Sequence, residues 1–310
     1  DDSDPEVRAQ AARTLGDPLY APATEALVER LSDDSDRVRY HAVMTLGKLK
    51  HAEAVPFMTG VLVENENQDA FLRHAVATAL WRINDQEALA ELAAHPLPTV
   101  RMAAVLALRR NADPALERMI HDDDLTIALE AARAVHDLPI SEALPALADL
   151  HHRYLPGSDG SDSATLRDRR QIPLLRRVIS ANLQLGEPEH AAAIAGIAAN
   201  RDLSNRIRME ARAALADFEN PNERDRVLGW WRPVENAPRD RSGIAEVLAR
   251  TLPPLANDPS ERIRNQALEL AGSFGVAVDP GVLYAIAIDE DRPVRDRVTC
   301  IGQLPGDDAK

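Results

Sequence analysis

Cysteine is almost missing from this sequence. Cys300 is its single thiol, which excludes an internal disulfide, a Cys-x-x-Cys-His haem attachment and a multi-cysteine zinc site within these residues. Aromatic residues amount to 4% of the chain against 45% hydrophobic residues in all, so rings cannot fill a conventional large core and Ala, Leu and Val must do it. Lysine occurs only at Lys48, Lys50 and Lys310, and every other fixed cation is Arg. No stretch approaches the roughly 18 apolar residues of a membrane span, and no charged-then-apolar leader opens the chain. It begins at Asp1 rather than Met and reads as a segment of a longer protein. Positive charge is also short. Lys+Arg 36 against Asp+Glu 50 gives a net charge of −14, which opposes the phosphate attraction behind most nucleic-acid binding while leaving room for a local basic groove. Linear catalytic signatures are missing too: there is no Gly-rich phosphate loop, no Ser-His-Asp order and no His-Glu-x-x-His.

What is present is a repeat. An acidic or polar cluster precedes an apolar residue and Arg, with small or apolar residues four and eight positions after the first. Copies begin at Val7-Arg8, Val38-Arg39, Leu72-Arg73, Val100-Arg101, Ile207-Arg208, Ile263-Arg264 and Val294-Arg295, and Ile127 keeps the stripe with Ala128 in place of Arg. Such spacing marks one face of a helix, whereas a strand would alternate with period two. Steps of 31, 34, 28 and 27 residues from Val7 to Val38, Leu72, Val100 and Ile127 leave room for a second helix in each unit. Candidates run from Ala23 to Leu31, Ala52 to Leu62, Glu87 to Ala93 and Glu142 to Leu150. One amphipathic hairpin cannot hide its apolar side, so the units must stack. The expected fold is all-α: an α-solenoid of stacked antiparallel helical hairpins with a right-handed superhelix. Acidic clusters at Asp33, Asp34 and Asp36, at Asp122 to Asp124, at Asp258 with Ser260 and at Asp289 to Asp291 stand where helix N-caps belong. Arg8, Arg39, Arg73, Arg101, Arg208, Arg264 and Arg295 are spaced as a structural ladder, each pairing with an Asp or a carbonyl.

Two stretches break the period, giving regular repeats at 1–150, an insert at 151–173, repeats at 174–220, a second insert at 221–242, and repeats at 243–310 whose last hairpin is half complete with an apolar end exposed. The first insert contains the Gly/Ser/Asp run Leu155 to Ser163, which reads as a mobile surface loop. His151, His152 and Tyr154 precede it and are candidate partner-binding residues. Trp230, Trp231 and Arg232 of the second insert are the others, because Trp and Arg are enriched at binding hot spots. Each group has a plainer reading. Adjacent histidines point to different faces of a helix and would need outside ligands to hold a metal. The tryptophan insert can fold back and plug a gap in the stack, since lone exposed tryptophans are costly. The remaining histidines, among them His41, His74, His95, His121, His136 and His190, are scattered, and no cluster in the sequence stands out as a catalytic, cofactor or metal site.

Asp4-Pro5-Glu6-Val7-Arg8 and Asp36-Arg37-Val38-Arg39 resemble HEAT repeats, a likeness that extends over nearly the whole chain. More narrowly, Phe71-Leu72-Arg73-His74-Ala75, Leu174-Leu175-Arg176-Arg177-Val178-Ile179-Ser180-Ala181-Asn182 and Asp225-Arg226-Val227-Leu228-Gly229-Trp230-Trp231-Arg232-Pro233 resemble the helical region of large planctomycete-type haem-binding proteins of the membrane-bound dehydrogenase type. In that family a β-propeller precedes the repeats and a c-type cytochrome module follows them. The resemblance implies a non-catalytic interaction or spacer module, not itself an enzyme, that binds a protein or neighbouring domains of its own chain. It implies no cofactor in this segment and an extracytoplasmic setting. The alternative is a HEAT-like enzyme of the DNA glycosylase or bilin lyase type, working from its concave face. Oligomeric state is left open.

Overall fold

The computed structural model describes residues 2–154, 171–239, 241–255 and 261–306, so the run Leu155 to Ser163 and the cap candidate Asp258 lie outside the described residues. Among the described residues there is no strand, only an isolated bridge between Arg224 and Trp231. None of the described helices is long and apolar enough to cross a membrane. Two compact units divide between Ala143 and Leu144.

The first unit runs α1 (Pro5–Leu15), α2 (Thr24–Glu29), α3 (Asp36–Lys48), α4 (Val55–Asn65), α5 (Ala70–Ile83), α6 (Gln86–Ala93), α7 (Pro98–Arg110), a 3-10 helix at Pro114–His121 and α8 (Leu125–Asp137). The stripe-bearing helices α1, α3, α5, α7 and α8 pack side by side in that order. Helices α2, α4 and α6 and the 3-10 helix cover them as a second layer. Val38, Leu72, Val100 and Ile127 are buried, and so are Ala42, Val76, Ala104 and Ala131 four positions on. The small residues let neighbours approach closely: Thr45 on α3 donates its hydroxyl to the Ala12 carbonyl of α1 at 2.8 Å.

The acidic clusters divide their labour. Asp124 caps α8 by accepting the Thr126 N–H at 2.7 Å. Asp33 and Asp122 instead receive the arginine of the preceding stripe helix, each through two N–H groups, at 2.8 and 2.8 Å from Arg8 and at 2.7 and 2.9 Å from Arg101. A carboxylate withdrawn from water needs such a counter-charge, which a cap alone does not supply. Arg8 and the Ser35 N–H hold the Asp33 carboxyl below its usual range, against the opposing effect of burial. A folded-state pKa below the unfolded value of about 3.9 means stability that is present above that pH and lost as pH falls through the folded value. Asp33→Asn should therefore have a lower urea midpoint than the parent chain at pH 7, with the gap closing toward pH 3.

The second unit comprises α9 (Leu144–Asp149), a 3-10 turn at Leu150–Tyr154, α10 (Gln171–Leu185), α11 (Pro188–Ala199), α12 (Asn205–Ala216), α13 (Arg241–Leu255), α14 (Glu261–Phe274), α15 (Pro280–Ile288) and α16 (Val294–Gln303). Here α10, α12, α14 and α16 pack in sequence, with α9, α11, α13 and α15 against them. Arg208 donates to the Ala198 carbonyl at 3.0 Å, Arg295 pairs with Glu269, and Arg264 lies half-buried on α14. On α16, Val294, Val298 and Ile301 are exposed.

The second insert does not plug the stack with its tryptophans. Trp230 and Trp231 are 59% and 63% exposed. Its anchors are charged. Buried Asp225 accepts from the Val227 and Leu228 N–H groups at 2.8 and 2.7 Å and from the Ser180 hydroxyl at 3.3 Å. Arg176 of α10 donates to the Arg226 carbonyl at 2.6 Å, while the Arg226 side chain reaches Asp217. Arg239 closes the loop by donating to the carbonyls of Leu183 and Phe218 and covering the Phe218 ring at 4.7 Å.

Candidate metal centre

At the end of α9 the chain tightens into the 3-10 turn Leu150–Tyr154. Residues three apart on a helical turn share one side, so Asp149, the last residue of α9, and His152 come together. The His152 Nε2 lies 3.2 Å from Asp149 Oδ1. His151 shares the same side, its ring centroid 3.9 Å from that of His152. One ligand atom from each of Asp149, His151 and His152 falls within 4.8 Å of the others.

Tautomers follow from the neighbours. His151 Nδ1 is 2.9 Å from the Ala148 carbonyl, which can only accept, so Nδ1 carries the proton and Nε2 keeps its lone pair. Burial, the largest influence, pushes the His151 pKa down and favours the neutral, ligating form. The Ala148 carbonyl also accepts from Asn182 Nδ2 at 3.0 Å. Asn182 is fully buried on α10; its Nδ2 donates a second time to the Val178 carbonyl at 2.9 Å, and its Oδ1 has no partner. Through Ala148, this asparagine fixes the His151 ring. His190 on α11 holds the opposite tautomer: Nδ1 accepts the Glu187 N–H at 3.1 Å, which leaves Nε2–H as a donor. Burial lowers its pKa as well.

These groups line a cavity of about 570 Å³ with Pro145, Glu189, Ala192 and Ala193. Asp149 and His152 are exposed and His151 is half-buried, so the site opens to solvent. Two imidazoles and one carboxylate match the donor set of non-haem iron oxygenase sites. Three donors about 2.0–2.2 Å from one ion lie roughly 3–3.8 Å from one another, so a pair at the 4.8 Å limit would close by about an ångström or more on binding, a movement within reach of side-chain rotation at this open site. A metal-ligating histidine ordinarily donates its other N–H to a carbonyl or carboxylate, as His151 does.

The structure thus joins His151 and His152 to Asp149, a residue that sequence reasoning passed over. Tyr154 ends the same turn. Trp230, Trp231 and Arg232 belong to the separate insert, where Arg232 lies 3.6 Å from Asp225. The signal that could have found the centre is the compact order Asp-x-His-His at 149 to 152. It was hidden because adjacent positions on any helical turn diverge by about 100–120°, and only the reach of the two imidazoles, with ring centroids 3.9 Å apart, brings them together.

The known proteins to which the chain is similar are hydroxylases rather than haem proteins. Residues 1–80 match a family described as HEAT repeats. The chain is similar to deoxyhypusine hydroxylase-B of Oryza sativa, 26% identical over 80% of this chain and 80% of that protein. It is also similar to deoxyhypusine hydroxylase of Candida albicans, 34% identical over 28% of this chain and 29% of that protein, so in that relative the matched stretch spans less than a third of its length. A solved human deoxyhypusine hydroxylase in complex with glycerol aligns at TM-score 0.30 and 16% identity over 87% of this chain and 98% of that one, too loose a superposition to carry any inference.

These findings correct four expectations. The narrower resemblance to planctomycete-type haem-binding dehydrogenases gives way to relatives that are hydroxylases, and the extracytoplasmic setting loses the support it drew from that resemblance. A non-catalytic spacer and a non-enzyme are both overturned by the same relatives. The expectation of no cofactor is overturned by those relatives together with the convergence of Asp149, His151 and His152. The physical reason is common to all four: a repeat stripe reports how helices stack and is silent about donors gathered at a hairpin turn. Residues 1–80 are HEAT repeats, and both units are α-solenoid stacks of helical hairpins.

Proposed function

We propose that the chain is a metal-assisted hydroxylase acting on a deoxyhypusine-type side chain, with a divalent ion held by Asp149, His151 and His152. The observation that carries this reading is the two-imidazole, one-carboxylate donor set on the wall of an open cavity of about 570 Å³. The named relatives supply the reaction class. A bound redox-active ion contributes the activation of dioxygen that placing a hydroxyl on carbon requires, with the second oxygen atom leaving as water and a reductant supplying two electrons.

The protein's own residues position the reaction. Neutral His151 presents the Nε2 lone pair, held in register by the carbonyl of Ala148 and, behind it, Asn182. His190 offers Nε2–H as a hydrogen-bond donor from the neighbouring helix. Ala192, Ala193 and Pro145 form an apolar wall that keeps water from part of the substrate, and the carboxylate of Glu189 favours a cationic side chain. The exposed rim admits a side chain carried on another protein.

The test supplies iron(II), a reductant, air and a deoxyhypusine-bearing protein to the full chain. Mass spectrometry should show the gain of one oxygen atom on the substrate, lost with His151→Ala. No gain with a folded, metal-loaded chain, where a deoxyhypusine hydroxylase control converts the same substrate, refutes the assignment.

A further inference from the structure

The first unit contains a cavity of a different character. It measures about 660 Å³ and lies between α5 and α7, lined by Arg73, His74, Arg109 and Arg110 with Leu106 and Leu138 among the apolar residues of its wall, and no carboxylate belongs to that wall. Positions three and four apart on each helix bring these side chains together. Many guanidinium groups of this acidic chain find carboxylates, as Arg8 does with Asp33, Arg39 with Asp36 and Arg101 with Asp122, and others find backbone carbonyls, as Arg208 and Arg239 do. Two arginines of the cavity depart from that habit. Arg73 donates to the neutral Asn67 side chain, and Arg110 donates to the Thr78 hydroxyl at 2.9 Å while lying 5.1 Å from the centre of the Trp81 ring. Arg109 shares Glu130 with Arg133. Among the described residues, then, Arg73 and Arg110 bring to the cavity two positive charges that meet neutral partners rather than carboxylates, in a chain of net charge −14.

We propose that this cavity binds a small ligand bearing a doubly charged oxyanion on an apolar body, with Arg73 and Arg110 as the forks that grip the oxyanion and Leu106 and Leu138 against the body. Guanidinium forks match phosphate and carboxylate oxygens two at a time, which a lone ammonium cannot do. The volume is that of a small-molecule site. Phosphate-bearing and carboxylate-bearing ligands share this chemistry, and the experiment separates them.

The full chain is titrated calorimetrically at low ionic strength with inorganic pyrophosphate and, separately, with succinate. Saturable binding of at least one is expected, weakened at least about tenfold by Arg110→Gln or Arg73→Gln, as befits loss of a charged hydrogen bond. Arg110→Lys should fall between, and binding should weaken with added salt. His151→Ala should leave it unchanged, which keeps this site distinct from the proposed hydroxylation centre. A readout with the cavity intact uses the Trp230→Phe, Trp231→Phe chain, where Trp81 is the sole indole and its emission should shift on ligand addition. Tighter binding of pyrophosphate assigns a phosphate ligand and tighter binding of succinate a dicarboxylate. Absence of saturable binding by both, or binding equal in the folded arginine variants, overturns the proposal.

Discussion

Titrated anaerobically with iron(II), or with cobalt(II) as a coloured substitute, the full chain should bind one ion per molecule. His151→Ala and His152→Ala should each weaken it by more than about 100-fold, whereas Asn182→Ala should weaken it by about 10–100-fold. The ordering follows from the geometry. His151 and His152 would touch the ion, and removing either leaves two protein donors, fewer than the three that catalytic sites ordinarily provide. Asn182 touches no ligand atom of the centre. It donates to the Ala148 carbonyl, which in turn fixes the His151 ring, so its loss frees the imidazole to rotate without deleting a donor. Because Asn182 is fully buried, Asn182→Ala can also lower stability, and thermal unfolding of each metal-free variant separates the two effects. Equal affinity across the parent chain and the two histidine variants would remove the centre, and with it the structural ground for the hydroxylase reading.

A clear loss of stability from a single added group is expected at Gly47, where the close neighbour is backbone. A Cβ there would stand 2.6 Å from Ala79 Cα and 2.7 Å from Ala79 Cβ, so α3 and α5 would have to separate. Overpacking of this kind costs about 1–3 kcal/mol, while replacing a helical glycine by alanine returns about 0.8–1 kcal/mol of propensity. Packing should win: Gly47→Ala destabilises by about 1–2 kcal/mol, and Gly47→Val by more because it adds bulk at the same contact. Gly60 on α4 is the matching control. Nothing lies within 4 Å of its added Cβ, so Gly60→Ala should stabilise the chain by about 0.5–1 kcal/mol. Urea midpoints of the three variants decide the matter, and a stabilising Gly47→Ala would show that the repeat interface yields more readily than its close approach indicates.

The stripe from Val38 through Leu72 and Val100 to Ile127 by itself determined the helices and their stacking, because periodicity near 3.6 reflects which side of a rod must leave water. The second helices at Val55–Asn65 and Gln86–Ala93 were legible for the same reason. Helix α11 was not. Its near-continuous apolar run, Ala191 to Ala199, is buried on most sides and carries no one-sided pattern to read.

Charge was legible only in part. Sequence alone could place Asp33 and Asp122 ahead of a helix, but their bond to an arginine of the preceding stripe helix depends on how the hairpin closes. The hydrophobicity of the tryptophan insert argues for a plug, yet Asp225, Arg226 and Arg239 secure the segment and leave both indoles outside. Tertiary structure alone decided the two cavities. Asp149 and His152 converge because positions three apart share one side of the chain's turn, His151 joins them through the direction of its ring, and His190 and Asn182 line the same cavity from other helices. Arg73 and Arg110 face one cavity from two successive repeats, at positions the repeat spacing alone does not bring together. A repeat encodes the burial of its own apolar side, which is local and periodic; a site is a coincidence of polar side chains from different turns, and that depends on distances no sequence spacing records.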